Sequence, residues 1–274
     1  MAGLKGFVLA FCLAAGAAWA GCGGAPGPCL LDGGEYHAVL PSEGGTGAPV
    51  ILWLHGAGSN GGNAVANTGL VDRLTARGYA VLAPTGGRTF GDRGASWNFM
   101  PGWDGRDEVD FLKRTVADAS ARFGTSDRVL LAGFSAGGFM VSYLACAAPE
   151  SFTAYAPVAG GFWRPMPQGC KGPVRLFQTH GWTDTTVPLE GRILRSGQFE
   201  QGDIFAGMEL WRIANACAGQ DPTAYSETGV FWRRKWDDCA KGSALEFALW
   251  PGGHTVPEGW ADMVLDWFEA PESR

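Results

Sequence analysis

The sequence predicts an α/β protein with a mostly parallel central sheet and helices on both faces. Three observations carry this. Short, unbroken apolar runs such as Val50–Leu54 and Val129–Ala132 have the length and hydrophobicity of strands buried on both sides. Segments with helical spacing alternate with them. The clearest is Arg106–Phe123, where Val109, Phe111, Leu112, Val116 and Ala119 make one apolar stripe between charges. Four strands end in polar, glycine-bearing loops, after Leu54, Ala132, Thr179 and Trp250. In such sheets the active groups sit on loops at the carboxyl ends of the strands.

The chain opens on a secretory leader, Met1–Ala20: a basic Lys5, an apolar Gly6–Ala15 and a cleavage site at Ala18-Trp19-Ala20. Acylation of Cys22 is the competing reading, disfavoured by Trp19 where an aliphatic residue is usual. The mature chain, residues 21–274, is expected to be one catalytic domain, secreted or periplasmic, without stable membrane insertion. Tyr36–Pro41 reads as an edge strand and Ser42–Pro49 as a turn. Val50–Leu54 is a buried strand, Gly61–Arg77 a helix and Tyr79–Ala83 a strand stopped by Pro84. Thr85–Gly105 is an aromatic loop. Arg106–Phe123 is a helix capped by Gly124, followed by the strand Arg128–Ala132. Strands are expected at Ala154–Ala159, Val174–Thr179 and Leu245–Trp250, and a closing helix at Glu258–Phe268. Gly191–Gly207 reads as a glycine-rich substrate cover or surface insertion, and Phe231–Trp236 as a solvated strand rather than a polyanion patch.

The formal net charge is −6, and one unit more negative without Lys5. A mildly acidic surface argues against nucleic acid or anionic membrane as a partner. Losing Cys12 with the leader leaves six cysteines in an oxidising compartment. Sequence proximity suggests Cys22–Cys29, Cys146–Cys170 and Cys217–Cys239, one of 15 connectivities. No spacing fits a zinc template, so neither a metal nor a cofactor is expected.

The functional signal is Gly133-Phe134-Ser135-Ala136-Gly137, a G-x-S-x-G pattern between an apolar strand and a helical segment. In a chain with 43 glycines the pentapeptide alone could arise by chance; its strand–turn–helix setting raises it. A serine needs a base to take its proton and a third group to orient that base. His254, after Gly252-Gly253, is the candidate base and Asp184 the candidate acid. Ser135, Asp184, His254 is the chain order of the α/β-hydrolase fold. His37 reads as a surface residue, while His55 and His180 read as structural, ordering the oxyanion and acid loops. Asp104, Asp107 and Asp110 precede the serine, the wrong order; Asp203 and Glu190 are weaker alternatives for the acid. The oxyanion hole is expected from the backbone N–H groups of Ala136 and Ala57.

The segments GFSAGGFM, LHGAGS, HGWTDTTVP and GGHTVP, with Cys146–Gly161, resemble the secreted esterases grouped with polyhydroxybutyrate depolymerases and feruloyl or acetylxylan esterases. The likeness runs from about Tyr36 to Phe268. It implies that Asp184 is the triad acid and His254 the base. The oxyanion loop departs from it: HGAGSN stands where the family often has HGCxQ.

The resulting expectation is hydrolysis of a carboxylic ester through an acyl-enzyme. The leading reading is polyhydroxybutyrate depolymerase-like, on a polyester oligomer. The alternative is a feruloyl or acetylxylan esterase acting on polysaccharide-linked esters. A peptidase or thioesterase on the same fold, or a non-catalytic binding protein, ranks lower. Trp182, two residues from the acid, is expected to line the substrate site; Trp97, Trp103 and Trp163 are further ring-binding candidates, or packing.

Overall fold

The computed structural model describes residues 21–271. The expected leader and its cleavage site near Ala20 lie outside the described residues. Among these, ten strands form one sheet: β1 (Cys29–Leu31), β2 (Gly34–Val39), β3 (Val50–Leu54), β4 (Ala80–Pro84), β5 (Val129–Phe134), β6 (Ala154–Val158), β7 (Arg175–Gly181), β8 (Ala224–Thr228), β9 (Phe231–Trp236) and β10 (Ala244–Trp250). Their spatial order is β1-β2-β4-β3-β5-β6-β7-β10-β9-β8. The pairings from β4 through β10 are parallel and those at both ends antiparallel.

Six helices cover the sheet: α1 (Gly61–Val65), α2 (Thr68–Ala76), α3 (Glu108–Phe123), α4 (Ala136–Ala147), α5 (Ile204–Ala214) and α6 (Trp260–Glu269). Strand β3 shows why its sequence is apolar throughout. Val50, Leu52 and Leu54 enter the core shared with α3, α4 and α5, while Ile51 and Trp53 enter the core shared with α1, α2 and α6. Both faces are buried, so no alternation survives.

Three segments differ from expectation. Gly61–Arg77 is two helices. Asn60 Oδ1 accepts from Asn63 N–H at 2.8 Å to start the first, and the chain turns at Ala66 and Asn67 before the second. Asn67 and Gly69 are poor interior helix residues, which explains the break. The Gly191–Gly207 segment holds a short hairpin, Ile193–Leu194 with Phe199–Glu200, and then the start of α5. Asp203 caps that helix, accepting from Ala206 N–H at 2.9 Å, and so has a structural job rather than the triad acid's. The strand β8 is polar and exposed and pairs only with β9, so nothing in its pattern announced it.

All three proposed disulfides are present. Cys22–Cys29 ties the amino-terminal loop to β1, Cys146–Cys170 ties α4 to the segment before β7, and Cys217–Cys239 ties the end of α5 to the loop after β9.

The turn between β5 and α4 is packed without room for side chains. A Cβ on Gly133 would meet the Gly137 backbone, and one on Gly137 would run into the Leu54 carbonyl oxygen. One on Gly138 would press on Val158 O, and one on Gly160 on the Gly138–Phe139 peptide. In each case the obstacle is backbone, which cannot swing aside. Gly137→Ala is therefore expected to cost about 3 kcal/mol, the upper end of ordinary overpacking. A urea-melt midpoint unchanged by that substitution would contradict this packing.

Candidate active site

Three strand ends bring the predicted residues together. Ser135 follows β5 with φ 56° and ψ −115°, a left-handed conformation that non-glycine residues rarely hold. Its N–H is anchored on Val158 O at 2.9 Å, and its hydroxyl projects from the turn beside the amino terminus of α4. His254 follows β10, and its Nε2 lies 2.9 Å from Ser135 Oγ. Its Nδ1 lies 2.7 Å from Oδ2 of Asp184, which follows β7.

Asp184 is buried and fixed. Its Oδ1 accepts from the N–H groups of Thr186 at 2.9 Å and Val187 at 2.8 Å. Burial pushes its carboxyl up, but the hydrogen bond from His254, the Val187 N–H and the neighbouring imidazoles together hold it below the ordinary carboxylate value. With Asp184 ionised and accepting, His254 Nδ1 carries the proton, and Nε2 is left to accept one from Ser135.

His180 and His55 are fully or nearly fully buried and make backbone bonds. His180 Nε2 donates to Val187 O at 2.7 Å and sits 3.6 Å from Asp184 Oδ2, so it closes the acid loop from below. His55 Nε2 accepts from Gly86 N–H at 3.0 Å, which makes Nδ1 the donor to Gly56 O at 2.8 Å. Trp97 donates its indole N–H to His55 O at 2.8 Å and packs on the imidazole. Burial lowers both histidines below the ordinary imidazole value. The oxyanion loop is thus pinned at its root. Gly56 lies against Phe134 and the Ser135 Cβ, and the next amides are committed, Gly58 to Ala95 O and Ser59 to Gly56 O. Ala57 stands exposed between them. Ala136 is the first residue of α4, where N–H groups have no intrahelical partner.

The tryptophan candidates separate. Trp97 is fully buried, so it is packing and not a ring-binding wall. Trp163 packs in a cluster with Phe99, Phe139 and Phe199, and Trp103 lies between Phe99 and the Arg88 guanidinium. Trp182 is 57% exposed beside the acid loop, its N–H bonded to Trp250 O at 2.8 Å. Sequence reasoning passed over Phe134, whose ring stacks at 4.8 Å on His254, and Glu108. The buried Glu108 carboxylate accepts from Gly87 N–H at 2.9 Å and pairs with Arg106, holding the 85–105 loop in place. Glu108 was masked by the solvated charges around it; Asp107 there simply caps α3. The basic residues of β9 are largely compensated, Arg233 by Glu246 at 2.6 Å and Lys235 by Asp237 at 3.1 Å.

Residues 69–163 match the Prolyl oligopeptidase family. The probable feruloyl esterase C of Aspergillus oryzae is 30% identical over 203 residues, covering 67% of this chain and 68% of its own. Feruloyl esterase C of Emericella nidulans is 28% identical over 225 residues, covering 75% and 77%. Among solved structures, the acetyl xylan esterase from Aspergillus awamori superposes with a TM-score of 0.60 at 14% identity, over 85% of this chain and 93% of that one.

The site also sets a pH dependence of stability. His55 and His180 resist a proton in the folded state that the unfolded chain takes up near pH 6.5. Below that value the unfolded state binds more protons, so stability rises with pH and is lost as pH falls from about 6.5 toward the lower folded values. Asp184 adds a second loss at more acid pH, as its depressed carboxyl is protonated. The urea midpoint should therefore fall as pH is lowered from about 7.5 to about 5. A flat profile over that range would show that the two imidazoles are not buried as described.

Proposed function

Since this chain belongs to the feruloyl/acetylxylan esterase-type family of α/β-hydrolases, and is a carboxylic ester hydrolase, we propose that Ser135, His254 and Asp184 are its catalytic triad. We further propose that its substrates are feruloyl or acetyl esters of plant polysaccharide. The observation that carries the triad is the continuous hydrogen-bonded chain from Ser135 Oγ through His254 to Asp184. The relatives named for feruloyl and acetylxylan hydrolysis favour this substrate class over the polyester one. The Prolyl oligopeptidase match spans the serine turn but not the acid and histidine loops, which weakens a peptidase reading.

The steps follow from the geometry. Ser135 Oγ attacks the ester carbonyl carbon as its proton passes to His254 Nε2. The oxyanion of the tetrahedral intermediate accepts from the N–H groups of Ala57 and Ala136. The C–O bond to the alcohol breaks, the alkoxide takes the proton from His254, and an acyl-Ser135 ester remains. Water then gives its proton to His254 and attacks the acyl carbon, and Ser135 leaves with that proton. Asp184 stays ionised throughout, fixing the imidazole tautomer and offsetting its charge. Trp182 offers an exposed ring face beside this route, suited to a feruloyl group. Three disulfides fit an oxidising compartment, and we infer that the protein is exported.

The test compares methyl ferulate, acetylated xylan and a 3-hydroxybutyrate oligomer as substrates of the disulfide-bonded chain. Ferulate or acetate release should dominate. Ser135→Ala and Asp184→Asn should each lower kcat by about 10⁴-fold or more. Trp182→Ala should raise KM for methyl ferulate about fivefold, with a smaller change in kcat. Preferential cleavage of the hydroxybutyrate oligomer would overturn the substrate assignment. Full activity in Ser135→Ala would overturn the triad.

A further inference from the structure

The far end of the sheet carries exposed aromatic side chains that the triad does not use. In the β8–β9 hairpin, Tyr225 is 69% and Trp232 46% exposed. Register places Tyr225 opposite Arg234 and Glu227 opposite Trp232. Residues opposite one another across a ladder share a face, so these four side chains form one surface, with the backbones of Tyr225 and Trp232 on a diagonal about 7–8 Å apart. Arg234 and Trp232 also lie opposite Phe247 and Leu249 of β10, which turns this surface toward the α5 side of the sheet. There Phe205, itself exposed, meets Phe247 edge-on at 5.8 Å. A groove of about 330 Å³ runs between α5 and the hairpin, with Met208, Trp236 and Phe247 at its base and Arg212 and Arg234 at its rim.

This surface adjoins the active edge. Leu249, opposite Trp232, pairs on its other side with His180 of β7, and Trp250 with Gly181. Trp182 then hangs from Trp250 by its N–H. Trp232 thus lies two strand spacings, about 10 Å, from His180, which precedes Trp182 by two residues. Trp182 in the acid loop and the two hairpin rings thus stand on either side of β10 in a discontinuous line.

We propose that this line is a glycan-binding surface, which holds the polysaccharide chain whose ester is cleaved at Ser135. The proposal rests on the polysaccharide-ester reading of the site. The chemistry of the surface selects the occupant. Each hairpin ring faces a charged residue across the ladder, Tyr225 with Arg234 and Trp232 with Glu227, so rings and charges alternate on this face. The cores of protein interfaces are depleted of such charges. A polyanion would meet Glu227, Glu209 and Asp203 together with the arginines, and gains little. A neutral polyhydroxyl chain fits both parts: its C–H faces lie on the rings, and its hydroxyls bond to Glu227 and Arg234. Because the surface begins at Trp182, one chain can span the hairpin and still present an ester to Ser135.

The experiment is affinity electrophoresis of the disulfide-bonded chain through gels containing soluble arabinoxylan, with methyl ferulate turnover measured on the same preparations. The wild-type chain should be retarded. The double substitution Tyr225→Ala with Trp232→Ala should weaken the apparent affinity about fivefold or more, the scale of losing exposed aromatic contacts. Trp232→Phe should retain most of the retardation. Turnover of methyl ferulate with unchanged retardation in the double variant would overturn the glycan surface and leave the feruloyl reading intact. Retardation lost in the double variant of a chain inert on methyl ferulate would do the reverse. A sedimentation coefficient that drops on Trp232→Ala would identify the surface as a contact between two copies of this chain, and would also overturn the proposal.

Discussion

The close approach of three backbones at the serine turn is the constraint on which the rest of the structure depends. Strand β5 delivers Ser135 to a turn whose φ is positive, and that turn is stable only because its neighbours can press on it from every side. Gly137 sits against the end of β3, and Gly138 and Gly160 let α4 and the loop after β6 meet. Each of these contacts is backbone against backbone. Together they fix the distance between the serine, the oxyanion loop after β3 and the amino terminus of α4. A single methyl group at any of them would separate elements that must converge for the proposed oxyanion donors to share one target with Ser135.

Around that fixed centre, buried polar side chains hold the adjoining loops. His55 clamps the root of the oxyanion loop to Gly86 and to its own strand end, and Glu108 ties Gly87 and Arg106 on the adjoining loop. His180 and the amides of Thr186 and Val187 do the same for the acid loop. These are bonds to backbone, so they set loop shape rather than react. They also separate His55 and His180 from His254, the base of the proposed triad. His254 keeps a partly solvated face and meets both a carboxylate and a serine hydroxyl. The other two at the strand ends are spent in the core, where burial keeps them neutral.

The parts of this design that were legible in the sequence share one property: they are local. The parallel strands β3 to β7 and β10 read directly because burial on both faces makes them continuous apolar runs. Ser135, Asp184 and His254 read from short glycine-flanked motifs and their order. Helix α5 was legible in principle, with Asp203 as cap and Ile204, Met208 and Trp211 at helical spacing, but the glycines before it led 191–207 to be read as a loop and no helix was expected there. Trp182 was singled out by its nearness to Asp184, but whether Trp97 was a ring-binding wall or packing could not be told by sequence. Both sit near strand ends, and only packing decides that one is a core residue bonded to His55 O and the other an exposed ring. Strand β8 was invisible for the opposite reason. It buries nothing, so its only structural signal is the partner strand it happens to meet.

That contrast separates the origin of the chemistry from the origin of specificity. The proposed triad is held by elements that cannot change without loss of the core: glycines at van der Waals limits, a carboxylate with three bonds to its oxygens, and histidines bonded to main chain. Trp182, Trp232 and Tyr225 contribute little to that core, because much of each side chain stays in water. The sheet nevertheless holds the backbones of Tyr225 and Trp232 in register with the strands that precede Asp184 and His254. An exposed ring on such a strand is costly to leave in water and inexpensive to order, since the ladder has already fixed its backbone and only two side-chain torsions remain. Side chains with those two properties are suited to gripping a long substrate outside the reacting bond. On the proposed reading, hydrolysis rests on the buried centre, and the grip on the substrate chain on rings at the edge of the sheet.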